Sequence, residues 1–484
     1  MDIQKIKKLV TKNKPNVDIT MLELAYEFAH EAHLGQKRLT GEDYIQHSLH
    51  TAYTLAEIKS ELPTIIAGLL HDVPEDTKRN LDDIEKDFGS EIRFLVEGIT
   101  KLSNIKYRGV ERQRESLRKM FMAMARDLRV IIIKFADRLH NLRTIEAHRE
   151  DKKIRIAQET LEIYVPIAGL LGMWRLKWQM EDICFKYLFP EDFRKLEYKY
   201  EIEKKTERNQ FIAKVKKQLG EKLDQEKLNY IIEGRFKHLY SIYQKMQRKN
   251  RKFHEIYDVF ALRIIVDTIA DCYRVMGIIH SIWKPKTSRI KDYIAMPKPN
   301  GYQSLHTTVF GPDGKATEFQ IRTYRMHEEA LHGIAAHWHY KEMNNNNQPK
   351  WIQEILDIQK EAQDTNDFIR KLKLNVFSDR IFVFSPKGEV FELSADATPI
   401  DYAYHIHTDI GHKATGAVIN NRMSTLDQKL KNGDMIEIIT NQSRKGPNKN
   451  WLKFVKGRTA RNKIKQYFKR STLESIRKLI SRGK

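Results

Sequence analysis

At roughly 100–200 residues per domain, a chain of 484 residues predicts about two to four domains, and a hydrophobic content of 41% can build their cores. Charged residues at 31% argue against disorder; no apolar run approaches the ~20 residues needed to span a bilayer, and the opening MDIQKIKKLVTKNKP has no signal-peptide core. The net charge of +22 favours polyanionic partners (nucleotides, RNA, a ribosome) unless it is merely the organism's habit, and two cysteines, Cys184 and Cys272, make neither a disulfide framework nor a CxxC site, as expected of a cytoplasmic protein with no membrane partner.

Residues 1–150 read as an all-α domain. ITMLELAYEFAHEAH, PTIIAGLLHD, IEKDFGSEIRFLVEGITKL and LRKMFMAMARDLRVIIIKFADRLHNL carry apolar residues near helical spacing, punctuated by Gly35, Gly41 and Pro63. Helices continue through a connector, residues 151–228, with a kink or break expected at Pro166 and Gly169 and a charged helix over Lys195 to Gln225. From Tyr230 the pattern changes. YIIE, DVFALRIIVD, SLHTTVFG and ATEFQIRT read as strands, the last two as a hairpin over GPDGKA, with helices between them, so that residues 229–343 form a mixed α+β domain. NNNNQP opens a linker and helix, residues 344–374. In residues 375–441, IFVFSPKGEVFEL reads as a hairpin, Thr398-Pro399 as a helix start, and AVIN and DMIEIIT as two further strands, which together suggest a small β-grasp domain. A basic helical tail, residues 442–484, completes the chain.

LLHDVPEDT, Leu69–Thr77, ends the second apolar helix with His71, Asp72, Glu75 and Asp76. The residue before a proline disfavours helix, so Pro74 predicts a helix end near Asp72 or Val73, with Glu75 and Asp76 on the turn beyond. Carboxylates sit badly at a helix C-terminus, and a metal ion is the simplest compensation. His47 and His50 of YIQHSLHTA and Asp137 of IIIKFADRLHNL are further candidate ligands; Asp137 could instead pair with Arg138 or Arg143. Taken singly, each of these residues reads more readily as structural than as a ligand.

The order H…HD…D across helices resembles the HD metal-dependent phosphohydrolases. GQKRLTGEDYIQH, GLLHDVPEDT and IKFADRLHNLRT narrow the resemblance to the hydrolase half of bifunctional RelA/SpoT-type enzymes, which make and destroy (p)ppGpp. The resemblance implies a metal site on His47, His71, Asp72 and Asp137, a mixed imidazole–carboxylate set suited to Mn, Fe, Co or Zn that would activate water against a phosphoryl group. In this family it implies Mn²⁺, removal of the 3′-pyrophosphate, Glu75 and Asp76 orienting or activating water, Arg38 beside the guanine base, and Asn141 and Thr144 contacting the nucleoside.

A second constellation begins at GRFKHLYSIYQKM. Arg235, Lys237, Ser241 and Lys245 can face one polyphosphate at a helix start, without any P-loop; the plainer reading is a solvated basic face. Asp258 opens the strand DVFALRIIV, and Glu318, Gln320 and Arg322 share one strand face, a placement suited to a Mg²⁺-nucleotide. NGYQSLH adds Tyr302 and His306. GRFKHLYSIYQKM, IYDVFALRIIV, RIKDYIAMPKPNGYQSLHTTV, EFQIRT and GIAAHW together resemble the RelA/SpoT synthetase domain, of nucleotidyltransferase-like fold. That resemblance implies transfer of the β,γ-pyrophosphate of ATP to the 3′-OH of GDP or GTP, with Mg²⁺ on Asp258 and Glu318, Glu318 also a candidate base, the four basic-helix residues on ATP phosphates, Tyr302 on the acceptor guanine and His306 nearby; Arg289-Ile290-Lys291-Asp292 matches the RxKD form of bifunctional members.

The third module resembles a TGS domain, which in long family members contacts the 3′ end of uncharged tRNA; His407 and His412 are both candidate contacts. Pro74, Ser48, Gly169-Leu170-Leu171, Leu331 and Ala414 depart from the family's usual pattern, and further helical, zinc-binding and ACT-type domains are expected to be lacking. The leading expectation is a bifunctional (p)ppGpp synthetase/hydrolase whose connector couples the two sites reciprocally. A hydrolase with a degenerate synthetase, and a tRNA- or ribosome-binding regulator, are the rival readings.

Overall fold

The computed structural model describes residues 1–103, 123, 126–199, 205–235, 238–249, 261–298, 301–333, 380–431, 433–444, 446–457 and 459–468. They fall into two compact units, Met1–Gln348 and Pro349–Lys484.

The first unit opens with helices α1 (Ile3–Asn13), α2 (Thr20–Ala32), α3 (Ile45–Glu57) and α4 (Leu62–Leu70). In α4, Pro63 occupies the first turn, where its missing N–H breaks no helical bond, and Thr64 through Leu70 are all buried. A four-residue helix, α5 (Val73–Asp76), follows. Pro74 therefore begins a new helical turn as well as closing α4, because the Asp72 carbonyl accepts from the amides of Glu75 (3.1 Å) and Asp76 (2.9 Å). Glu75 and Asp76 occupy a first helical turn, which the backbone dipole favours for carboxylates, instead of the open turn expected.

The segment IEKDFGSEIRFLVEGITKL is two helices, α6 (Leu81–Phe88) and α7 (Ser90–Ser103), because Gly89 between them lies at φ 87°. Helix α8 (Leu128–Arg143) likewise starts afresh at Asp127, whose extended backbone interrupts the longer expected helix and whose carboxylate caps the Arg129 amide. Helix α8 packs on α3, α4 and α7. It buries Val130–Ile133, Phe135, Ala136, Leu139 and Leu142; each large aliphatic or aromatic side chain so removed from water contributes roughly 1.5–3 kcal/mol. That core is what makes a buried Asp137 and His140 sustainable on the same helix.

The connector absorbs Pro166 without breaking. Helix α9 (Glu150–Glu159) passes through a π turn, Thr160–Tyr164, into α10 (Val165–Leu170), the wider turn accommodating the N–H that proline lacks. The break comes after Leu170, before α11 (Trp174–Leu188), α12 (Pro190–Glu197) and α13 (Lys205–Gln225). Among the described residues, the expected charged helix, Lys195 to Gln225, corresponds to the end of α12 and to α13.

The α+β part contains β1 (Tyr230–Arg235), α14 (Leu239–Lys249), β2 (Ala261–Val266), α15 (Ile269–Ile282), β3 (Lys291–Asp292), β4 (Leu305–Phe310), β5 (Ala316–Thr323) and α16 (Tyr324–His332). The sheet order is β1-β2-β5-β4-β3, with β2 and β5 parallel and the other pairs antiparallel. The expected β4–β5 hairpin is present, Phe310 opposite Ala316. Phe319 and Ile321 of β5 join the core formed with α13 and α15, which leaves Glu318, Gln320 and Arg322 on the other face.

Connector and sheet domain are packed together. Trp178 of α11 stacks on His238 (centroids 4.2 Å apart, planes 3° apart), and the Asp182 carboxylate accepts the Tyr240 N–H (3.0 Å) in the first turn of α14. Burial, opposed by the Tyr240 and Leu239 amides, pushes the Asp182 carboxyl up to about 6. A raised folded-state value means that the group's stability contribution is fully present below its unfolded value and is lost as pH rises through about 6. Asp182→Asn, which keeps a capping oxygen, is therefore expected to stabilise the protein by about 2 kcal/mol at pH 8 and to be neutral at pH 4, as measured by urea denaturation at both pH values. At the far end of α16, Gly333 (φ 59°) lies so close to the connector that a Cβ would stand 2.3 Å from the Leu171 carbonyl oxygen. Lys59, just past α3, pairs with Glu328 of α16, and Arg175 reaches Glu57 (2.9 Å).

In the second unit, β6 (Arg380–Phe384) and β7 (Val390–Ser394) form the expected hairpin. Helices α17 (Pro399–Ile406) and α18 (Thr408–Lys413) precede β8 (Ala414–Ile419), β9 (Arg422–Ser424) and β10 (Ile436–Thr440), ordered β10-β8-β9. A parallel bridge between Phe384 and Met435 brings the hairpin alongside the β10 end, the arrangement of a β-grasp. Thr398 and Asp401 form a capping box at α17, with Pro399 in its first turn. The Asp401 carboxylate also accepts the Lys456 (3.1 Å) and Gly457 (2.7 Å) amides, and Trp451, Val455, Ala460 and Ile464 pack into the core on α17. The described part of the basic tail thus packs an apolar side into this module.

Candidate functional site

Three elements converge in the α-helical part: the start of α3 with His47, the α4–α5 junction with His71 and Asp72, and α8 with Asp137. One ligand atom from each of His47, His71 and Asp137 lies within 4.8 Å of the others, and all three residues are buried. The His47 Nε2 is 3.3 Å from both Asp72 Oδ2 and Asp137 Oδ1, and His71 Nε2 is 3.2 Å from Asp72 Oδ1. All four proposed ligands are therefore brought to one point.

The donor set fits a divalent cation on independent grounds. The His71 Nδ1 lies 2.8 Å from the Gly68 carbonyl, which can only accept, so Nδ1 carries the hydrogen and Nε2 keeps its lone pair. That Nε2 is buried and has no hydrogen-bond partner among the described residues, a costly state that a cation would relieve. Asp137 pairs with neither Arg138 nor Arg143: Arg138 goes to Glu159 and Tyr164, Arg143 to Gln179, and Lys134 holds Asp137 (2.7 Å). Against the effect of burial, the Lys134 ammonium holds the Asp137 carboxyl well below the usual range.

Around the ligands, the Tyr44 hydroxyl lies 3.1 Å from Asp72 Oδ2 and 2.5 Å from Asp76 Oδ2, joining a candidate ligand to the acidic pair. Withdrawal from water and then the Asp72 charge raise the Glu75 carboxyl above the ordinary value. Arg38 donates to Asn141 Oδ1 (2.7 Å), and Asn141 donates to Asp137. Thr144, at the end of α8, donates to the His140 carbonyl (3.1 Å).

In the α+β part the described candidates Glu318, His306 and Tyr302 form a connected row. The His306 Nδ1 is 3.6 Å from Glu318 Oε1, the Tyr302 hydroxyl is 2.9 Å from His306 Nε2, and Gln320 donates to Glu318 (3.2 Å). Lys291 faces His306 across the β3–β4 ladder. Ser241 and Lys245 lie four residues apart on one face of α14. Lys237, Asp258 and the side chain of Arg235 lie outside the described residues.

Family models match three stretches: an HD domain over residues 25–174, a region found in RelA / SpoT proteins over residues 234–345, and a TGS domain over residues 381–440. The bifunctional (p)ppGpp synthase/hydrolase SpoT of Escherichia coli is 44% identical over 475 residues, covering 96% of this chain and 67% of that protein. The chain belongs to the RelA/SpoT family. A guanosine-3′,5′-bis(diphosphate) 3′-pyrophosphohydrolase of Aquifex aeolicus is 45% identical over 470 residues (96% of this chain, 66% of that protein), and a GTP pyrophosphokinase of Streptomyces coelicolor is 42% identical over 507 residues (100% and 59%). The chain thus spans about three fifths to two thirds of the length of these curated relatives.

Within this RelA/SpoT chain, Tyr44, Lys134 and His140 escape a reading of the sequence alone. Lys134 and His140 stand three residues either side of Asp137, on its helix face, and that spacing is the one available signal. Nothing local marks Tyr44, because it meets Asp72 and Asp76 only through the packing of α3 on α4. Of the two TGS histidines, His412 is wedged between Tyr404 and Tyr467 with a buried Nε2, whereas the His407 side chain is 65% exposed.

Proposed function

We propose that this chain is a bifunctional alarmone enzyme, which hydrolyses (p)ppGpp to GDP or GTP plus pyrophosphate and forms (p)ppGpp from ATP and GDP or GTP. The observation that carries the reading is a buried His47–His71–Asp137 cluster with Asp72 beside it, in the same compact unit as the Glu318–His306–Tyr302 row, in a RelA/SpoT chain. No helix among the described residues is long and apolar enough to cross a membrane, and we place the protein in the cytoplasm.

In the hydrolase, His47, His71, Asp72 and Asp137 hold a divalent cation, Mn²⁺ in this reading, which when bound supplies charge to a phosphoryl group and acidity to water. Glu75, with its raised carboxyl, takes the proton of the attacking water, and Tyr44 fixes Asp76 and Asp72 relative to one another. Arg38 lies beside the guanine base, and Asn141 and Thr144 contact the nucleoside. In the synthetase, the acceptor 3′-OH attacks the β-phosphorus of ATP; its proton passes to Glu318, the bond from that phosphorus to the α–β bridging oxygen breaks, and AMP leaves. Asp258 and Glu318 hold Mg²⁺, Arg235, Lys237, Ser241 and Lys245 hold the ATP phosphates, Tyr302 stacks on the acceptor base, and Lys291 and His306 line the acceptor side.

The Lys59–Glu328 and Arg175–Glu57 pairs and the seating of Gly333 on Leu171 support reciprocal coupling of the two sites through the connector. Exposed His407 makes the TGS module a candidate binder of the 3′ end of uncharged tRNA, tested by salt-dependent binding that His407→Ala weakens.

The deciding experiment incubates the chain with ATP, GDP and Mg²⁺, and separately with ppGpp and Mn²⁺, and resolves the nucleotides. Turnover is expected in both. Turnover only with ppGpp would favour a degenerate synthetase; tRNA binding with no turnover in either would favour a regulator.

A further inference from the structure

The residue behind His47 has no part in the hydrolase chemistry proposed above. His140, 3% exposed, places its Nδ1 2.7 Å from the Nδ1 of His47, and Arg38 Nη1 lies 3.1 Å from both ring nitrogens. At 2.7 Å only one of the two nitrogens carries the hydrogen. A guanidinium can only donate, so the nitrogen that accepts from Arg38 must be the bare one. If that were His47, its hydrogen would sit on Nε2, at the centre of the ligand set, where a cation would have to stand. If it is His140, both Arg38 and His47 donate to His140 Nδ1, and the His47 Nε2 lone pair faces Asp72 and Asp137 at 3.3 Å. The stack of His50 on His140, centroids 4.6 Å apart and planes 17° apart, fixes the plane of the accepting ring.

We propose that His140 is a positioning residue of the metal site: as hydrogen-bond acceptor for His47 Nδ1–H, it sets the tautomer that presents His47 Nε2 to a divalent cation. Arg38 completes the device from one side chain, Nη1 on His140 and Nη2 on Asn141, which in turn holds Asp137. One guanidinium thereby braces two ligands borne on different helices. The proposal rests on the metal reading of this cluster.

The test is Mn²⁺ titration of the full chain, read as free Mn²⁺ by electron paramagnetic resonance. His140→Leu, which has no acceptor, is expected to weaken binding roughly 10–100-fold, and His140→Gln, which offers an amide oxygen, to recover most of the loss. Equal loss in both variants would make His140 a packing residue and overturn the proposal, as would wild-type affinity in His140→Leu. A wild-type chain that takes up no Mn²⁺ would instead sink the metal site beneath it. Since His140→Leu could fail to fold, the Zn²⁺-loaded wild type supplies a second readout: a ¹⁵N–¹⁵N coupling between the two Nδ1 atoms is expected, and its absence overturns the assignment.

Discussion

Asp72→Ala is expected to slow ppGpp hydrolysis by roughly a thousandfold or more while leaving synthesis from ATP and GDP within about twofold of wild type. Asp72 is the hinge of the cluster: its two oxygens reach His47 and His71, and it shares the Tyr44 hydroxyl with Asp76. Removing it takes away a proposed ligand, the Tyr44-linked partner of Asp76 and part of what raises the Glu75 carboxyl. None of these contacts supports the fold, since the Asp72 side chain caps no helix and the α4–α5 junction is built from its backbone carbonyl. Nucleotide chromatography of both reactions checks the prediction, and loss of synthesis alongside hydrolysis would refute separate sites.

Glu318→Gln is expected to give the reverse, with synthesis lost by roughly a thousandfold and hydrolysis unchanged. The substitution keeps the shape of β5 and an oxygen for Gln320, so the ladder to β2 and β4 survives. It removes the charge that would hold Mg²⁺ and the lone pair that would take the 3′-OH proton. His306, 3.6 Å away, lies too far for a strong hydrogen bond and does not replace it. Retention of synthesis in Glu318→Gln would assign the base elsewhere and return Glu318 to a structural role.

Much of this molecule is legible in its sequence. The change from helical to alternating periodicity at Tyr230, the GPDGKA hairpin and the Thr398-Pro399 helix start are local signals, and the chain obeys them. Local signals mislead where two rules compete at one residue. Pro74 reads as a helix stop, yet it starts α5, because the first turn of a helix tolerates proline. Gly89 lies inside the stretch IEKDFGSEIRFLVEGITKL, which reads as helical throughout, and is a break at positive φ. Pro166 reads as a kink or break and is met by a π turn, while the helix ends beside Gly169. The tail reads as a basic helix on its own, yet Trp451, Val455, Ala460 and Ile464 give it an apolar face that α17 covers.

The candidate site divides along the same line. Sequence alone determined which residues could be ligands, because imidazoles and carboxylates ending or interrupting apolar helices are expensive unless something compensates them, and the motif order named the family. Only tertiary structure decided how they are used. That Lys134 rather than Arg138 or Arg143 balances Asp137, that Tyr44 ties Asp72 to Asp76, and that His140 stands behind His47 all depend on how α3, α4 and α8 pack. Hydrogen bonds act over about 3 Å, and the residues that meet across them here lie up to 103 positions apart in the chain, a distance that no local pattern encodes.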